Sequence, residues 1–194
     1  MNVYDFDKTV FDGDCEDRFF EFMSKKPGFA LVNVKYKLFN KLFKKKIISK
    51  TTARQIQYSF LRRVNDLDAL LEEYWNANEK HMKAWYLKAK RDDDIIASAT
   101  PSFLMKPIMR RLGLKNLVAT DMDPATGRIN GSFASGINKV EVYRTLFSLD
   151  EIDAFYSDSY VDNPLAVYAK QAYVIYGNDE FEDWDTYFAT HEKK

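Results

Sequence analysis

The second half of the chain alternates short apolar segments with helical segments, and this alternation limits the fold more than any other pattern in the sequence. Strand-like runs cover 95–98, 117–120, 154–157 and 172–176, and a further short strand is predicted at 2–6. Strands that alternate with helices form parallel sheets, because each crossover helix returns the chain to the same edge. We therefore predict an α/β core built on a parallel sheet.

Local signals set the elements between these strands. Thr100 followed by Pro101 predicts an N-cap and a first helical residue, and Gly113 is expected to end that helix. The other elements expected in this half are a turn at 123–127, a second hairpin arm at 128–133, and helices over 138–147 and 163–170. We take 172–176 as the last strand.

The preceding segment, from 16 to 90, has a helical pattern throughout, with one helix expected over 67–90. An aromatic and aliphatic stripe at helical spacing runs from Phe29 to Phe43 and favours core packing over lipid contact. The charged run 91–94 is the predicted domain boundary. We expect one unit formed by 1–13 and 92–194, with 14–91 inserted into it.

Charge is distributed unevenly along a chain whose formal net charge is zero. Residues 25–63 contain 12 Lys and Arg and no Asp or Glu, so the other 17 basic residues share the rest of the chain with all 29 acidic ones. The acidic part can hold a cation, and the basic part can attract an anionic partner. A solvated face is the alternative interpretation of the basic segment.

The sequence restricts the kind of metal and the compartment. Cys15 is the single cysteine, and His81 and His191 are far apart in sequence, so a Cys/His zinc site is not expected. Oxygen ligands would favour a hard ion such as Mg²⁺. No secretory signal and no apolar run long enough to span a bilayer are visible, so we expect a cytoplasmic protein.

Polar side chains follow the predicted strands at the edge where parallel strands end. Asp5 and Asp7 follow the first strand, Ser98 ends the second, and Asp158 and Asp162 follow another. Ligands of such sheets bind at this edge, so we expect these side chains to converge. Four converging carboxylates repel each other and need a cation, which together with a lysine such as Lys139 is typical of phosphoryl transfer.

Taken in order, these residues resemble the four signatures of haloacid dehalogenase (HAD) superfamily phosphatases, in the phosphoserine-phosphatase-like branch (subfamily IB). The four matching segments are DFDKT at 5–9, Ser98-Ala99-Thr100, Lys139 within GINKVEVYRTL, and 158–162 within YSDSYVDNPLA. The resemblance covers nearly the whole chain. It implies a Rossmann-like core and identifies 14–91 with the inserted α-helical cap of this branch.

The resemblance also implies a role for each matching residue. Asp5 would be the nucleophile and a Mg²⁺ ligand, and Asp7 the general acid and base that also binds the metal through its backbone carbonyl. The remaining implied roles are metal ligation by Asp158, support of the metal waters and of Lys139 by Asp162, and phosphate binding by Ser98, Ala99 and Lys139.

The resemblance to this branch is weaker at the positions expected to determine substrate choice. Phosphoserine phosphatases usually carry Ser-Gly-Gly where this chain has Ser98-Ala99-Thr100, and Asn where Val161 stands. Asp14 occupies the place of an acidic contact to the substrate amine, although a solvated loop carboxylate is an equal alternative. Arg54, Arg62 or Arg63 could meet a substrate carboxylate, and no spacing selects among them.

We therefore expect a Mg²⁺-dependent phosphatase that hydrolyses the phosphomonoester of a small, phosphoserine-like metabolite through a phosphoaspartate. Alternatives are a lipid-phosphate phosphatase or phosphotransferase of the same fold, and a non-catalytic phosphate-binding regulatory module. The expected partner is a small phosphorylated substrate and not a nucleic acid. The basic cap is a candidate for contact with a membrane surface, and the sequence leaves the oligomeric state open.

Overall fold

The computed structural model describes residues 1–177 and 179–192, and a central β-sheet organises them. In chain order the strands are β1 (Asn2–Tyr4), β2 (Ile95–Pro101), β3 (Asn116–Thr120), β4 (Met122–Asp123), β5 (Arg128–Ile129), β6 (Ala154–Ser157), β7 (Gln171–Tyr176) and β8 (Glu180–Asp183). The sheet has the order β3-β2-β1-β6-β7-β8, and β4 pairs with β5 in a separate hairpin. All neighbours in the sheet are parallel except β8, which is antiparallel to β7. The predicted α/β fold, a Rossmann-like sheet with helices, is confirmed.

Helices lie between and beside these strands. Those between β1 and β2 are α1 (Cys15–Ser24), α2 (Val32–Lys44), α3 (Lys50–Tyr58), α4 (Leu67–Asn78) and α5 (Ala84–Ala89). Those that follow β2 are α6 (Ser102–Leu112), α7 (Ile137–Arg144), α8 (Asn163–Ala166) and α9 (Trp184–Thr190). Short 3-10 turns occur at 59–63, 79–81, 149–151 and 160–162.

Both faces of the sheet are buried because successive side chains of its central strands alternate between two apolar clusters. In β2, Ile96 belongs to one cluster, while Ile95 and Ala97 belong to the other. The first cluster includes residues of α1, α4 and α6, and the second includes residues of α7, α8 and α9. Near-continuous apolar strands of this kind are typical of parallel sheets covered by helices on both sides.

The helical segment between β1 and β2 packs through aromatic side chains. Phe20 stacks on Tyr36 with ring centroids 4.0 Å apart, and the indole N–H of Trp75 donates to the carbonyl of Leu104 (2.7 Å). Within the stripe, Val32 and Tyr36 belong to the core, whereas Phe39 and Phe43 are only partly buried. The division into a core and a cap at 13/14 and 91/92 stays a prediction.

The helix predicted over 67–90 is in fact two helices, α4 and α5, separated by a 3-10 turn and an extended pair, Met82 and Lys83. Backbone hydrogen bonds explain the interruption. The N–H of Lys83 donates to the carbonyl of Val10, and the N–H of Asp12 donates to the carbonyl of His81, both at 2.8 Å. Contacts with the loop after β1 thus override the local helical preference.

The predicted N-cap at Thr100 is wrong. Thr100 lies in β2, Pro101 has an extended conformation (ψ 136°), and α6 starts at Ser102, although it does end at Gly113 in the left-handed conformation. Three elements are shorter than predicted: the second arm of the hairpin, the helix α7 and the helix α8. The strand β8 and the helix α9 were not predicted, because β8 is an acidic, mostly exposed edge strand without an apolar run.

Candidate active site

The loop after β1 brings Asp5 and Asp7 to the carboxyl edge of the sheet. The N–H of Asp5 continues the ladder by donating to the carbonyl of Tyr156 (2.8 Å), and the carbonyl of Phe6 accepts from two N–H groups further along the loop. Lys8 takes a left-handed conformation (φ 61°), which is uncommon outside glycine. The loop therefore turns sharply directly after the strand.

Lys139 connects two of the predicted carboxylates. Its ammonium lies 2.9 Å from Asp5 Oδ1 and 2.6 Å from Asp162 Oδ1, and only 2% of its side chain is exposed. Asp162 Oδ2 also accepts a hydrogen bond from Ser157 Oγ (2.9 Å). Burial alone would lower the pKa of Lys139, but Asp162 and Asp5 raise it above its usual range. Lys139 is therefore a permanent cation beside Asp5.

Asp7 is held by two donors from different elements. The N–H of Cys15 at the start of α1 donates to Asp7 Oδ1 (2.6 Å), and Thr100 Oγ1 donates to Asp7 Oδ2 (3.1 Å). Burial, followed by repulsion from Asp14, raises the pKa of Asp7 well above its usual range. The carboxyl of Asp7 is thus oriented, and protonation is easier than for a solvated aspartate.

The second predicted signature lies on an irregularity of β2. Ala97 pairs with Val118 and Pro101 pairs with Thr120, so three residues of β2 face a single residue of β3. Within this bulge the buried Ser98 Oγ accepts from the N–H of Thr100 (3.1 Å), and the carbonyl of Ala99 accepts from Thr120 Oγ1 (2.6 Å). Bulges re-aim side chains, and this one lets Ser98 and Thr100 serve the same edge.

Asp158 lies at the end of β6 on the other side of β1. Its N–H donates to Thr9 Oγ1 (3.0 Å), and its carboxylate is 4.0 Å from the exposed ammonium of Lys8. Burial raises the pKa of Asp158, and the charge of Lys8 opposes that rise. Asp158 therefore remains partly accessible at the mouth of the site.

The carboxylates influence one another. The pKa of Asp5 is raised to about 7, because burial and the charges of Asp162 and Asp158 together outweigh the lowering effect of Lys139. Oxygen donors with a surplus of negative charge suit a hard divalent cation. Within residues 1–177 and 179–192, no group of three or more His, Cys, Asp or Glu side chains is arranged to hold a metal ion.

The structure separates the three arginines that the sequence left equivalent. Arg54 is mostly buried, forms an ion pair with the buried Glu16 (3.0 Å), and acts electrostatically on Asp14. Arg63 instead lies over the ring of Phe29, and Arg62 is exposed at the end of the 3-10 turn. Of the three, Arg54 is the one next to Asp14.

Asp14 has a structural role of its own. It caps α1 by accepting from the N–H of Asp17 (2.9 Å). It also lines an open cavity of about 890 Å³ between α1 and α2, whose other wall includes Lys37, Lys41 and Lys44. Asp14 therefore lies between the start of α1 and this cavity, and its charge also acts on Asp7.

Sequence reasoning missed two residues at this site. Thr100 was assigned to a helix cap, whereas its hydroxyl orients Asp7. Lys50, at the start of α3, donates to Ser135 Oγ (3.2 Å), and the charges of Lys139 and Asp162 affect its pKa, which burial lowers. No local signal marks either residue, because both roles depend on contacts between distant segments.

The chain is similar to known proteins in sequence and in fold. Residues 3–166 match the family model of haloacid dehalogenase-like hydrolases. Among solved structures, a protein of unknown function from Bordetella pertussis Tohama I has a TM-score of 0.78 at 21% identity, covering 89% of this chain and 87% of its own. Among curated protein sequences, none matches this chain significantly.

Two further structures carry functional descriptions. A phosphoserine phosphohydrolase-like protein from Francisella tularensis subsp. tularensis SCHU S4 has a TM-score of 0.58 at 18% identity, covering 89% of this chain and 86% of its own. A substrate-bound phosphoserine phosphatase complex has a TM-score of 0.58 at 16% identity, covering 89% and 83%. At these identities the likeness is one of fold. Across residues 1–177 and 179–192, none of the helices has the length and apolarity needed to cross a bilayer.

Proposed function

This chain belongs to the haloacid dehalogenase-like hydrolase family, and from that membership we propose that it is a Mg²⁺-dependent phosphatase that works through a phosphoaspartate on Asp5. One observation carries the proposal. A buried lysine, Lys139, neutralises Asp5 from one side, while a second carboxyl, Asp7, is held ready by Cys15 and Thr100. A nucleophile and a separate acid are what a two-step phosphoryl transfer requires.

In the first step an oxygen of Asp5 attacks phosphorus, and the bond from phosphorus to the leaving oxygen breaks. Asp7 donates its proton to that oxygen, so the alcohol departs neutral. In the second step Asp7 accepts a proton from a water molecule that attacks the phosphoaspartate, which releases inorganic phosphate and restores Asp5. The raised pKa of Asp7 suits a group that must first give and then take a proton.

The phosphate oxygens would be bound by the Ser98 hydroxyl, the Lys139 ammonium and the backbone at Ala99. Ser98 in β2 and Lys139 in α7 are both buried. Lys50 adds positive charge from α3, since it interacts electrostatically with Lys139 and Asp162. These groups offset the negative charge that would otherwise repel a phosphate from Asp5.

Mg²⁺ would be held by the carboxylates of Asp5 and Asp158 and by the backbone carbonyl of Asp7, with Asp162 supporting its water ligands. When bound, the ion supplies charge neutralisation for the phosphate and for the attacking carboxylate. Asp162 also fixes Lys139 from the side opposite Asp5. The fit is supported by the carboxylate charges of Asp162 and Asp158, which add to burial in raising the pKa of Asp5.

For the substrate we propose a small phosphomonoester with polar groups, similar to phosphoserine. Asp14 would meet a positive group of the substrate, and Arg54 a negative one. The Nε of Arg54 is buried and, among the described residues, has no hydrogen-bond partner. Glu16 already neutralises part of Arg54, so the subsite would discriminate through hydrogen bonds more than through net charge.

A hydrolysis screen with wild-type protein and Mg²⁺ tests this proposal. The panel contains phosphoserine, phosphoethanolamine, lysophosphatidate and simple sugar phosphates, and phosphate release is measured. We expect release from the small polar esters and none from an Asp5→Asn variant. Release that persists in Asp5→Asn, or a panel without any turnover, would contradict the proposed activity. Phosphate transfer to added alcohols without net release would identify a phosphotransferase instead.

A further inference from the structure

Helix α2 carries a row of exposed apolar side chains on the side that faces away from the protein. Leu31, Val34 and Leu38 are 75%, 62% and 51% exposed, and their spacing places them along one stripe of the helix. The opposite side contributes Val32 and Tyr36 to the interior. The exposed row differs from the aromatic stripe considered above, whose side chains are buried or partly buried.

Exposed lysines without salt-bridge partners lie beside this row. Among residues 1–177 and 179–192, Lys37, Lys41, Lys44 and Lys45 are exposed and have no acidic side chain within salt-bridge distance. By contrast, Lys25 pairs with Glu21, and Lys26 pairs with Glu73. Because 25–63 contains no acidic residue, α2 carries positive charge, and its nearest acidic neighbours, Asp14, Asp17 and Glu21, lie across the cavity.

An apolar hollow of about 700 Å³ lies next to the row, between α2 and the 3-10 turn at 59–63. Phe29, Leu31 and Leu38 line it together with Phe60, and Arg63 closes one side with its guanidinium 4.9 Å from the ring centre of Phe29. The hollow and the row form one apolar surface with cations at its rim. We call this the α2 surface, defined by its exposed side chains Leu31, Val34 and Leu38.

We propose that the α2 surface docks on the headgroup region of an anionic lipid bilayer. A helix with an apolar stripe and lysines beside it is suited to lie in the plane of the interface. At 13 residues α2 is about 20 Å long, which matches in-plane binding and not a span. The proposal does not depend on the proposed hydrolysis, since docking needs no turnover.

Other occupants fit the α2 surface less well. A second copy would bring two segments rich in Lys and Arg together, which repel. A nucleic acid would satisfy the lysines but would leave the apolar row against a charged backbone. An anionic membrane satisfies both the charge and the apolar side chains, because acyl chains lie directly beneath the headgroups.

Docking would also bring the cavity beside α2 close to the membrane. Lys37, Lys41 and Lys44 line the cavity that contains Asp14, so one side of α2 borders this cavity while another carries the apolar row. Binding through α2 therefore places the opening of that cavity next to the lipid headgroups.

Vesicle co-sedimentation of the full chain tests the proposal, with phosphatidylcholine vesicles compared with vesicles that contain phosphatidylglycerol. We expect binding to the anionic vesicles only, weakened by salt. The triple variant Lys41→Gln, Lys44→Gln, Lys45→Gln should lower the partition coefficient on the order of 100-fold, since each lysine near an anionic surface contributes roughly a factor of five. The triple variant Leu31→Ser, Val34→Ser, Leu38→Ser should also release the protein.

Two control variants carry the same changes in charge and in hydrophobicity at positions elsewhere on the surface. The variant Lys88→Gln, Lys106→Gln, Lys115→Gln and the variant Leu87→Ser, Leu146→Ser, Val167→Ser alter exposed residues outside α2 and should bind as the wild type does. Circular dichroism confirms that each variant is folded. A wild type that ignores anionic vesicles at low salt, or α2 variants that bind as well as their controls, would overturn the proposal.

Discussion

At the scale of single residues, the site depends on how buried charges compensate one another. Lys139 is enclosed between Asp5 and Asp162, and burying such a group without partners would cost several kcal/mol. With Asp158 included, three carboxylates share one buried ammonium, so negative charge remains in surplus. That surplus disfavours the metal-free site and favours a bound cation.

Replacing Asp7 by Asn tests the assigned acid. The amide still accepts a hydrogen bond but cannot deliver a proton, so kcat should fall by roughly two to four orders of magnitude for alkyl phosphates. An ester such as p-nitrophenyl phosphate, whose leaving group needs no proton, should lose much less. The control is Asp12→Asn, an exposed aspartate of the same loop, which should keep the wild-type rate. Equal losses for both esters would remove Asp7 from the acid role.

The convergence of Asp5, Asp158 and Lys139 was predictable, whereas the contact of Thr100 with Asp7 was not. Asp5 and Asp158 follow parallel strands, which share one edge of the sheet, whereas the position of Lys139 was expected from the resemblance to the HAD signatures. The position of Thr100 depends on the bulge in β2. The pair Thr100-Pro101 does not reveal this bulge, because the same pair is also typical of the start of a helix. Local preference favoured a helix start at Thr100, whereas pairing with β3 favoured a strand, and the strand is what forms.

At the scale of elements, the hairpin of β4 and β5 fastens α3 to the rest of the chain. The N–H of Ile129 donates to Gln55 Oε1 (3.1 Å), and Gly127 sits against the backbone of Tyr58. A Cβ built on Gly127 would come within 2.7 Å of the Tyr58 carbonyl oxygen. Only glycine permits this close approach, so the turn packs tightly against the end of α3.

The variant Gly127→Ala should therefore be more destabilised than Gly113→Ala. Both glycines have φ near 71°, so each alanine costs about 1–2 kcal/mol in the left-handed region. Nothing lies within 4 Å of a Cβ at Gly113, whereas the clash at Gly127 should add about 1–3 kcal/mol. Urea denaturation measures the difference. Equal free energies of unfolding for the two variants would show that the contact with Tyr58 is not tight.

Element types were predicted better than element limits. The strand β6 and the end of α6 at Gly113 match the prediction, because an apolar run and a glycine stop act locally. The split between α4 and α5 escaped prediction, since it comes from hydrogen bonds with the loop that follows β1. The edge strand β8 escaped because its acidic residues carry no signal of burial.

At the scale of the whole molecule, metal binding should be linked to stability. Mg²⁺ at about 100 times its Kd adds about 2.7 kcal/mol to a protein that binds it only when folded. For a chain of this size that raises Tm by roughly 5–10 °C. Thermal unfolding with and without Mg²⁺ should show the shift, and Asp158→Asn should reduce it. Asp153→Asn, which alters an aspartate paired with Lys170 away from the site, should leave it unchanged.

The same ion should be needed for activity. Chelator should abolish hydrolysis and Mg²⁺ should restore it, while Ca²⁺ should substitute poorly because it prefers more ligands at longer distances. Initial rates in metal-free, Mg²⁺ and Ca²⁺ buffers provide the measurement. Full activity in chelator would contradict the role proposed for Asp158.

The central claim is that Asp5 carries the phosphoryl group during turnover, and acid quenching tests it most directly. Wild-type protein is mixed with its substrate, quenched within one turnover, digested and examined by mass spectrometry. The account predicts a phosphoryl group on the peptide that contains Asp5, removed by hydroxylamine as an acyl phosphate is, and absent from Asp5→Asn. Substrate turnover with no phosphorylated peptide, or with the group on another residue, would contradict it.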